Sequence, residues 1–457
     1  MKHALTLMVT LVVAGCASTP PPPAPAQPAT PAAWQAPLPA AGSTLAGWWS
    51  RLDDPALVPL IEAAQAASPT LSQASARIAQ ARATRVAAGA GLLPQLGASA
   101  SAQRAADPTQ PTATSTSAAL QASWELDFFG GVRAGRDAAQ ARVDAAQAQA
   151  QAARIGVAAE TASSLVELRA CEAQVEITRI DAASRAETAR LTEVAERAGF
   201  RAPADAALAR ASAAQGRAQE ADQRARCELI VKSLVELTAL DEPTLRAKLA
   251  PASGRLPQGQ PPAARALPAE LLQQRPDLIA AAATVSAAAA DVSQREAARW
   301  PQVTLSGSVG ALRVSTGAGT LSGSTWSLGP LAVNLPLFDG GRRAADVEAA
   351  RATYDDAVVQ LQGTVRTAVR EVEQALVRID AADSRRADAL AAVHGFEASL
   401  AAVEARWKGG LASLFELEDA RRSAASARSS LIDLDRERIA AWIALYRALG
   451  GGWTAQT

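Results

Sequence analysis

With 457 residues, 45 Lys plus Arg and 45 Asp plus Glu, the chain carries no net charge, which argues against a nucleic-acid partner needing a clustered basic surface. Two histidines, His3 and His394, leave almost nothing for a histidine metal cluster or a Ser-His triad, and no motif joins a nucleophile, a base and an orienting residue. The chain therefore reads as a non-enzyme without a cofactor. Aromatics are only 4%, and its abundance of alanine favours long, closely packed helices.

In chain order, Met1–Cys16 has a basic start at Lys2, an apolar core from Ala4 to Val13 and small residues before a cysteine. The core is too short to cross a bilayer and fits an export signal over residues 1–15. Val13-Ala14-Gly15-Cys16 resembles a bacterial lipobox, which implies cleavage before Cys16 and acylation of that cysteine. Ala17 after the cysteine implies sorting to the outer membrane; an ordinary signal with an incidental cysteine is the alternative. Residues 16–47 are rich in Pro and Ala and read as an extended, lipidated spacer, with the body starting near Trp48-Trp49.

The body reads as one module written twice, over 48–250 and 269–453, with a linker at 251–268 and a short tail at 454–457. In the first copy, Leu52 to Leu92 is helical in pattern. Period-two runs follow: Gln95 to Gln103, a turn at Asp107-Pro108 and Pro111, then Leu120 to Asp127. From Gly131 to Gly199 the pattern is one helix, on the order of 100 Å long at ~1.5 Å per residue. Gly199 breaks it, Pro203 suits the first turn of a returning helix, and Asp241 to Pro268 reads as linker.

The second copy repeats the order. A helix opens at Arg275-Pro276-Asp277, and a strand is expected from Gln302 to Val314. After a Gly/Ser/Thr loop, a strand from Thr325 to Leu337 changes phase at a bulge near Gly329-Pro330. The helix running to Gly409 carries a 3.5-residue seam, Tyr354, Leu361, Ala368 and Ala375 beside Val358, Val365, Val372 and Ile379. Arg366, Arg370, Glu371 and Glu373 lie off that seam and are expected on a solvated face. Gly409-Gly410 turns the chain into a second helix beginning with Phe415, Glu416, Glu418 and Asp419.

Cys171 and Cys227 lie 28 residues before and after Gly199, so an antiparallel hairpin sets them level. In an exported protein a disulfide is then expected, worth roughly 4 kcal/mol through the unfolded chain; two unpaired buried thiols are the alternative.

Four amphipathic strands of about bilayer length, 9 to 11 residues, cannot close, and an open edge is not tolerated in lipid. Oligomerisation follows, and three copies supply twelve strands. The motifs WWSRLDDPAL from Trp48, LPQL from Leu93, SWELDFFG from Ser123, QQRPDL from Gln273, WPQVTLSG from Trp300, GPLAVNLPLFDGGR from Gly329, RWKGGLASLFELEDARR from Arg406 and RALGGGW from Arg447 resemble the TolC-like outer membrane efflux proteins, lipoprotein branch. The resemblance implies an α+β membrane protein: a homotrimeric channel-tunnel with a 12-stranded outer membrane β-barrel and a periplasmic α-helical barrel. It also implies a periplasmic adaptor and an inner membrane RND-type pump as partners, with outer membrane lipid around the barrel. The function implied is a passive exit duct for drugs or other small toxic compounds. A type I protein-secretion or metal-efflux outlet, or a lipid-anchored coiled-coil or adaptor protein, are the alternatives.

In the family the tunnel narrows at its periplasmic end, and the positions matching the constriction are Phe415 and Asp419, one helical turn apart. Threefold symmetry would make rings of Phe and Asp, and a carboxylate ring favours cations. Asp419 is also explained by the helix dipole, and Ser413 to Glu416 spells a capping box that competes with a tip-contact role for Glu416. The resemblance implies tip turns and adaptor contacts at Gly199, Arg201, Asp205, Gly409, Gly410 and Glu416.

Overall fold

The structure, a computed structural model, describes residues 30–452 apart from 40, 41, 46, 108, 109 and 264–273. Cys16, the signal-like residues 1–15, the tail and part of the 251–268 linker lie outside the described residues. After a 3-10 turn at Trp48–Arg51 come α1 (Leu57–Ala67), α2 (Pro69–Ala90), β1 (Gln95–Asp107), β2 (Gln110–Leu126), α3 (Gly131–Arg197), α4 (Pro203–Thr238) and α5 (Glu242–Leu249). They are followed by α6 (Pro276–Ala297), β3 (Gln302–Thr316), β4 (Gly319–Asn334), α7 (Arg342–Lys408) and α8 (Leu414–Ala448). Helices α3 and α7 are both 67 residues long. The second starts 211 residues after the first, Gly131 to Arg342, and α8 follows α4 by the same interval, Pro203 to Leu414.

The structure corrects three expectations, two through local chemistry and one through distant partners. The helical stretch from Leu52 to Leu92 is divided, because the residue before a proline is disfavoured in α geometry. Ser68 is extended with ψ 118°, and its hydroxyl accepts from the Leu71 N–H as α2 begins. The stretch read as linker from Asp241 contains α5, whose N-cap Asp241 accepts from the Thr244 N–H at 3.1 Å while Pro243 occupies the first turn. That hydrogen bond holds the Asp241 carboxyl below its ordinary pKa. Finally, Glu371 and Glu373 are in use. Glu371 accepts from Arg275 at 2.9 Å, and the Glu373 carboxylate accepts backbone N–H groups of Gln35 and Ala36 at 2.7 and 2.9 Å.

The chain forms two compact units, and neither follows the sequence repeat. One comprises, among the described residues, 75–148 and 279–364; the other comprises 30–74, 149–278 and 365–452.

The first unit holds one antiparallel sheet in the order β1-β2-β3-β4. Its strands have 13, 17, 15 and 16 residues, longer than expected. Hydroxylated stretches outside the expected strands continue the ladder, since Ser and Thr pair across strands: Ser117 with Ser101 at 2.9 Å and Thr320 with Ser315 at 3.1 Å, as Ser308 does with Ser327 inside the expected strands. Pro111 falls inside β2 rather than in the turn, next to the register shift between Ala105 and Asp107. The pairing Ala98–Leu120–Val309–Trp326 and the pairing Trp124–Leu305–Leu331 put one apolar row beside another on a single face. The opposite face carries Gln121–Ser308–Ser327 and Ser123–Ser306. The bulge lies between Leu328 and Leu331, as expected, and returns Leu331 and Val333 to the face of Trp326. Gly310 is required where β2 and β3 meet, because a Cβ there would run into the Ala118 carbonyl and Ala119.

In the second unit, motifs at opposite ends of the chain converge. Asp54 and Arg169 form an ion pair at 2.9 Å with both side chains fully buried, and Asp54 also caps the Ala56 N–H. Trp48 stacks on Tyr446 at 5.2 Å, and its indole N–H donates to the Gln260 carbonyl. Burial pushes the Tyr446 phenol above its ordinary pKa, and its hydroxyl donates to the Gly451 carbonyl. Arg275 donates to Asp277, to Glu371 and to the Ala448 carbonyl, fastening the start of α6 to α7 and to the end of α8. On α7 the seam residues Leu361, Val365, Ala368, Val372, Ala375 and Ile379 are buried.

Candidate functional site

Both long helices end in the same left-handed glycine turn. At the first tip Gly199 has φ +78°, its N–H donates to Glu196, and the Phe200 N–H reaches back to Ala195 at 2.8 Å. At the second, Gly410 has φ +74°, its N–H donates to Trp407, and the Leu411 N–H reaches Arg406 at 2.8 Å. These paired bonds define a Schellman cap, whose left-handed position a residue without a Cβ adopts at no steric cost. Gly409 is not that residue: it has no positive φ, and an added Cβ would make ordinary contacts.

The helices then restart differently. Ser413 caps α8 through the Glu416 N–H at 3.2 Å, and the Glu416 carboxylate accepts the Ser413 N–H at 2.7 Å, a complete capping box. The first tip uses Pro203 at the start of α4 instead, behind an Ala202 that offers no side-chain cap, with Asp205 in the first turn and Arg201 half-buried before it.

Beneath the tips, Ala189 of α3 and Ala209 and Ala213 of α4 form a core with Leu414 and Leu417 of α8, flanked by Leu400, Val403 and Trp407 of α7. Small alanines let the helices approach closely enough for Leu417 to be fully buried. Beside this core lies a buried polar node centred on Glu418. Ser212 donates to its Oε2 at 2.6 Å, Arg421 donates to its Oε1 at 3.0 Å, and Arg185 lies 3.3 Å away while also donating to Ser212. Asp181 at 2.6 Å from Arg185 and Glu404 at 3.7 Å from Arg421 give each arginine a second carboxylate. Residues from α3, α4 and α8 thus meet at one carboxylate, and α7 joins the node through Glu404 on Arg421.

Phe415 and Asp419 point away from that node. Phe415 is 72% exposed, and the Asp419 side chain is 64% exposed, with Arg422 3.7 Å away. In a single chain nothing packs these two groups into the core.

A model of the outer membrane efflux protein family matches residues 60–240 and 267–451. The chain belongs to this family. It is 31% identical over 473 aligned residues to the pyoverdine export outer membrane protein OpmQ of Pseudomonas putida, covering 100% of this chain and 98% of OpmQ. Its fold is similar to that of a membrane protein from Pseudomonas aeruginosa, with TM-score 0.82, 30% identity and coverage of 92% and 98% of the two chains. It is also similar to the open state of the Neisseria gonorrhoeae MtrE outer membrane channel, with TM-score 0.80, 27% identity and coverage of 94% and 98%.

As an outer membrane efflux protein, the chain presents its two Schellman turns and the exposed Phe415–Asp419 face in one unit. Glu418 is the residue that motif reading named in the first turn but gave no role, since it is one of five acids from 416 to 435 without a distinguishing neighbour of its own. The signal was periodicity: Leu414, Leu417, Arg421 and Ala424 mark the buried face of α8, and Glu418 falls on it whereas Asp419 does not. The turn geometry makes a test. Gly199→Val and Gly410→Val are each expected to cost about 1–3 kcal/mol through left-handed strain, while Gly409→Ala is nearly neutral. Thermal unfolding and protease nicking at residues 198–202 or 409–413 read this; equal tolerance at Gly409 and Gly410 would contradict the assignment.

Proposed function

We propose that three copies of this outer membrane efflux protein close one twelve-stranded barrel and form the exit duct of a tripartite pump. The observation that carries the reading is the sheet. Leu96, Leu120, Val309, Trp326, Leu328 and Leu331 are all exposed on one face, while β1 and β4 each have a single partner strand among the described residues. Apolar side chains facing outward suit lipid, and the two edges must be paired within a bilayer. Equal 67-residue helices support the reading of 48–250 and 269–453 as two repeats that alternate around a helical barrel. Among the described residues no helix is long and apolar enough to cross a membrane. Acyl attachment at Cys16 would add an anchor, and a periplasmic adaptor together with an inner membrane RND-type pump would dock on the side of the tips, at Gly199, Arg201, Asp205, Gly410 and Glu416. The export of small molecules by the relatives, OpmQ named for pyoverdine among them, supports a small-molecule cargo.

The deciding experiment is extraction in mild detergent followed by gel migration with and without heating, and conductance in planar bilayers. A heat-sensitive trimer with discrete single-channel steps is expected; a monomer that conducts nothing sinks the proposal.

Phe415 and Asp419 form the periplasmic constriction in this reading. Their exposure in the single chain and their spacing of one helical turn support a shared ring around a threefold axis. Asp419→Ala is expected to lower the cation preference and weaken block by multivalent cations, because the ring loses three carboxylates. Unchanged reversal potentials in a salt gradient would remove Asp419 from the constriction.

A further inference from the structure

The first helical hairpin carries a cross-link that the second lacks. Cys171 on α3 and Cys227 on α4 are joined, with Cα atoms 5.7 Å apart and 56 residues between them in sequence. At the 211-residue interval the corresponding positions of the second hairpin are Ala382 and Arg438. The two sulfurs lie inside the packed pair, with Cys171 6% and Cys227 8% exposed. Gln223 covers the Cys171 sulfur at 3.4 Å and donates to Gln174, which in turn donates to Asp433 of α8 at 2.9 Å. The bond is therefore roofed by amides that also tie this hairpin to α8.

Disulfides are made by exchange, and exchange requires a thiolate to attack a disulfide sulfur directly, through a mixed disulfide. A protein oxidant cannot bring its own disulfide up to a sulfur that is enclosed between two helices. Oxidation must then occur while α3 and α4 are still apart, before Gln223 and Gln174 close over the pair.

We propose that the Cys171–Cys227 bond is installed by a periplasmic dithiol–disulfide oxidoreductase before the first hairpin closes, which makes this channel subunit a client of that enzyme class. One cysteine thiolate attacks the oxidant's disulfide, forming a mixed disulfide and releasing the oxidant's second sulfur as a thiolate. The other cysteine thiolate then displaces the oxidant. The client loses two electrons and two protons, and the oxidant leaves as a dithiol. The consequence is an order of assembly: the cross-linked hairpin exists before α8 packs on it through Gln174 and Asp433.

The test follows the full chain in bacterial cells with and without their periplasmic disulfide-forming oxidoreductase. Thiols are trapped with acid and a maleimide, and the peptides containing Cys171 and Cys227 are mapped without reductant, which keeps Cys16 out of the count. Normal cells are expected to give the joined peptide pair, and cells lacking the enzyme both peptides as maleimide adducts. The thiol form purified from the second cells is then offered the purified oxidoreductase, folded or in denaturant. The folded form is expected to oxidise at least about tenfold more slowly, as an opening step of 1.4 kcal/mol or more requires. Adducts in normal cells overturn the bond, the joined pair in cells lacking the enzyme overturns the enzymatic step, and equal rates folded and denatured overturn the order.

Discussion

Arg169→Ala is expected to destabilise the chain by about 3–5 kcal/mol, the cost of leaving a buried charge without its partner. Arg169 and Asp54 are both fully buried, 2.9 Å apart, and Glu172 adds a second carboxylate to the same guanidinium at 3.1 Å. Removing the arginine strands the Asp54 carboxylate in a place water does not reach, although it still holds the Ala56 N–H. Thermal unfolding of the purified protein reads the loss. The double substitution Asp54→Leu with Arg169→Met is expected to recover most of it, because a buried ion pair often gains little over apolar groups of similar volume. If the single variant melts with the parent, the ion pair does not hold the N-terminal Trp48–Asp54 segment to α3.

Glu418→Ala is expected to cost about 3 kcal/mol, nearer the lower end of that range because Asp181 and Glu404 continue to face Arg185 and Arg421. What disappears is the one group that touches α4, α3 and α8 together: Ser212 loses its acceptor, and Arg421, whose Nε already lacks a partner, loses its shortest ion pair. Hydrogen exchange should accelerate at residues 205–215 and 412–424 and stay unchanged in the strands. Glu418→Gln keeps an acceptor for Ser212 and is expected to lie between the two. Uniform exchange across the variants would mean that the alanine and leucine core, not the polar node, sets the stability of the tips.

The two cases divide what could be read along the chain from what could not. The Gly199 and Gly410 turns, the 3.5-residue seam of α7, the capping box at Ser413 and the phase change near Gly329-Pro330 were all legible, because each is written within a single turn, strand or helix. The same local rules failed where a distant partner overrode composition. Ser- and Thr-rich segments such as 315–324 look like loop, yet pair as strand once β3 and β4 supply the complementary edges. Glu371 and Glu373 look solvated on their own helix, yet Arg275 and the backbone of Gln35 and Ala36 are brought to them from far away in sequence.

The family, the repeated order of helix, hairpin and long helical hairpin, and the residues that turn each tip could all be read along the chain. These follow from periodicity, from proline and glycine geometry, and from motifs that recur in order. Packing in three dimensions was needed to pair β2 with β3, joining the two halves into one sheet, and to bury the Asp54–Arg169 and Glu418 nodes. It also supplied the partners of Glu418, Ser212 and Arg185, which no pattern along α8 announces. The reason is physical: burial and charge pairing depend on which helices meet in space, and a single helix face does not say what will be packed against it.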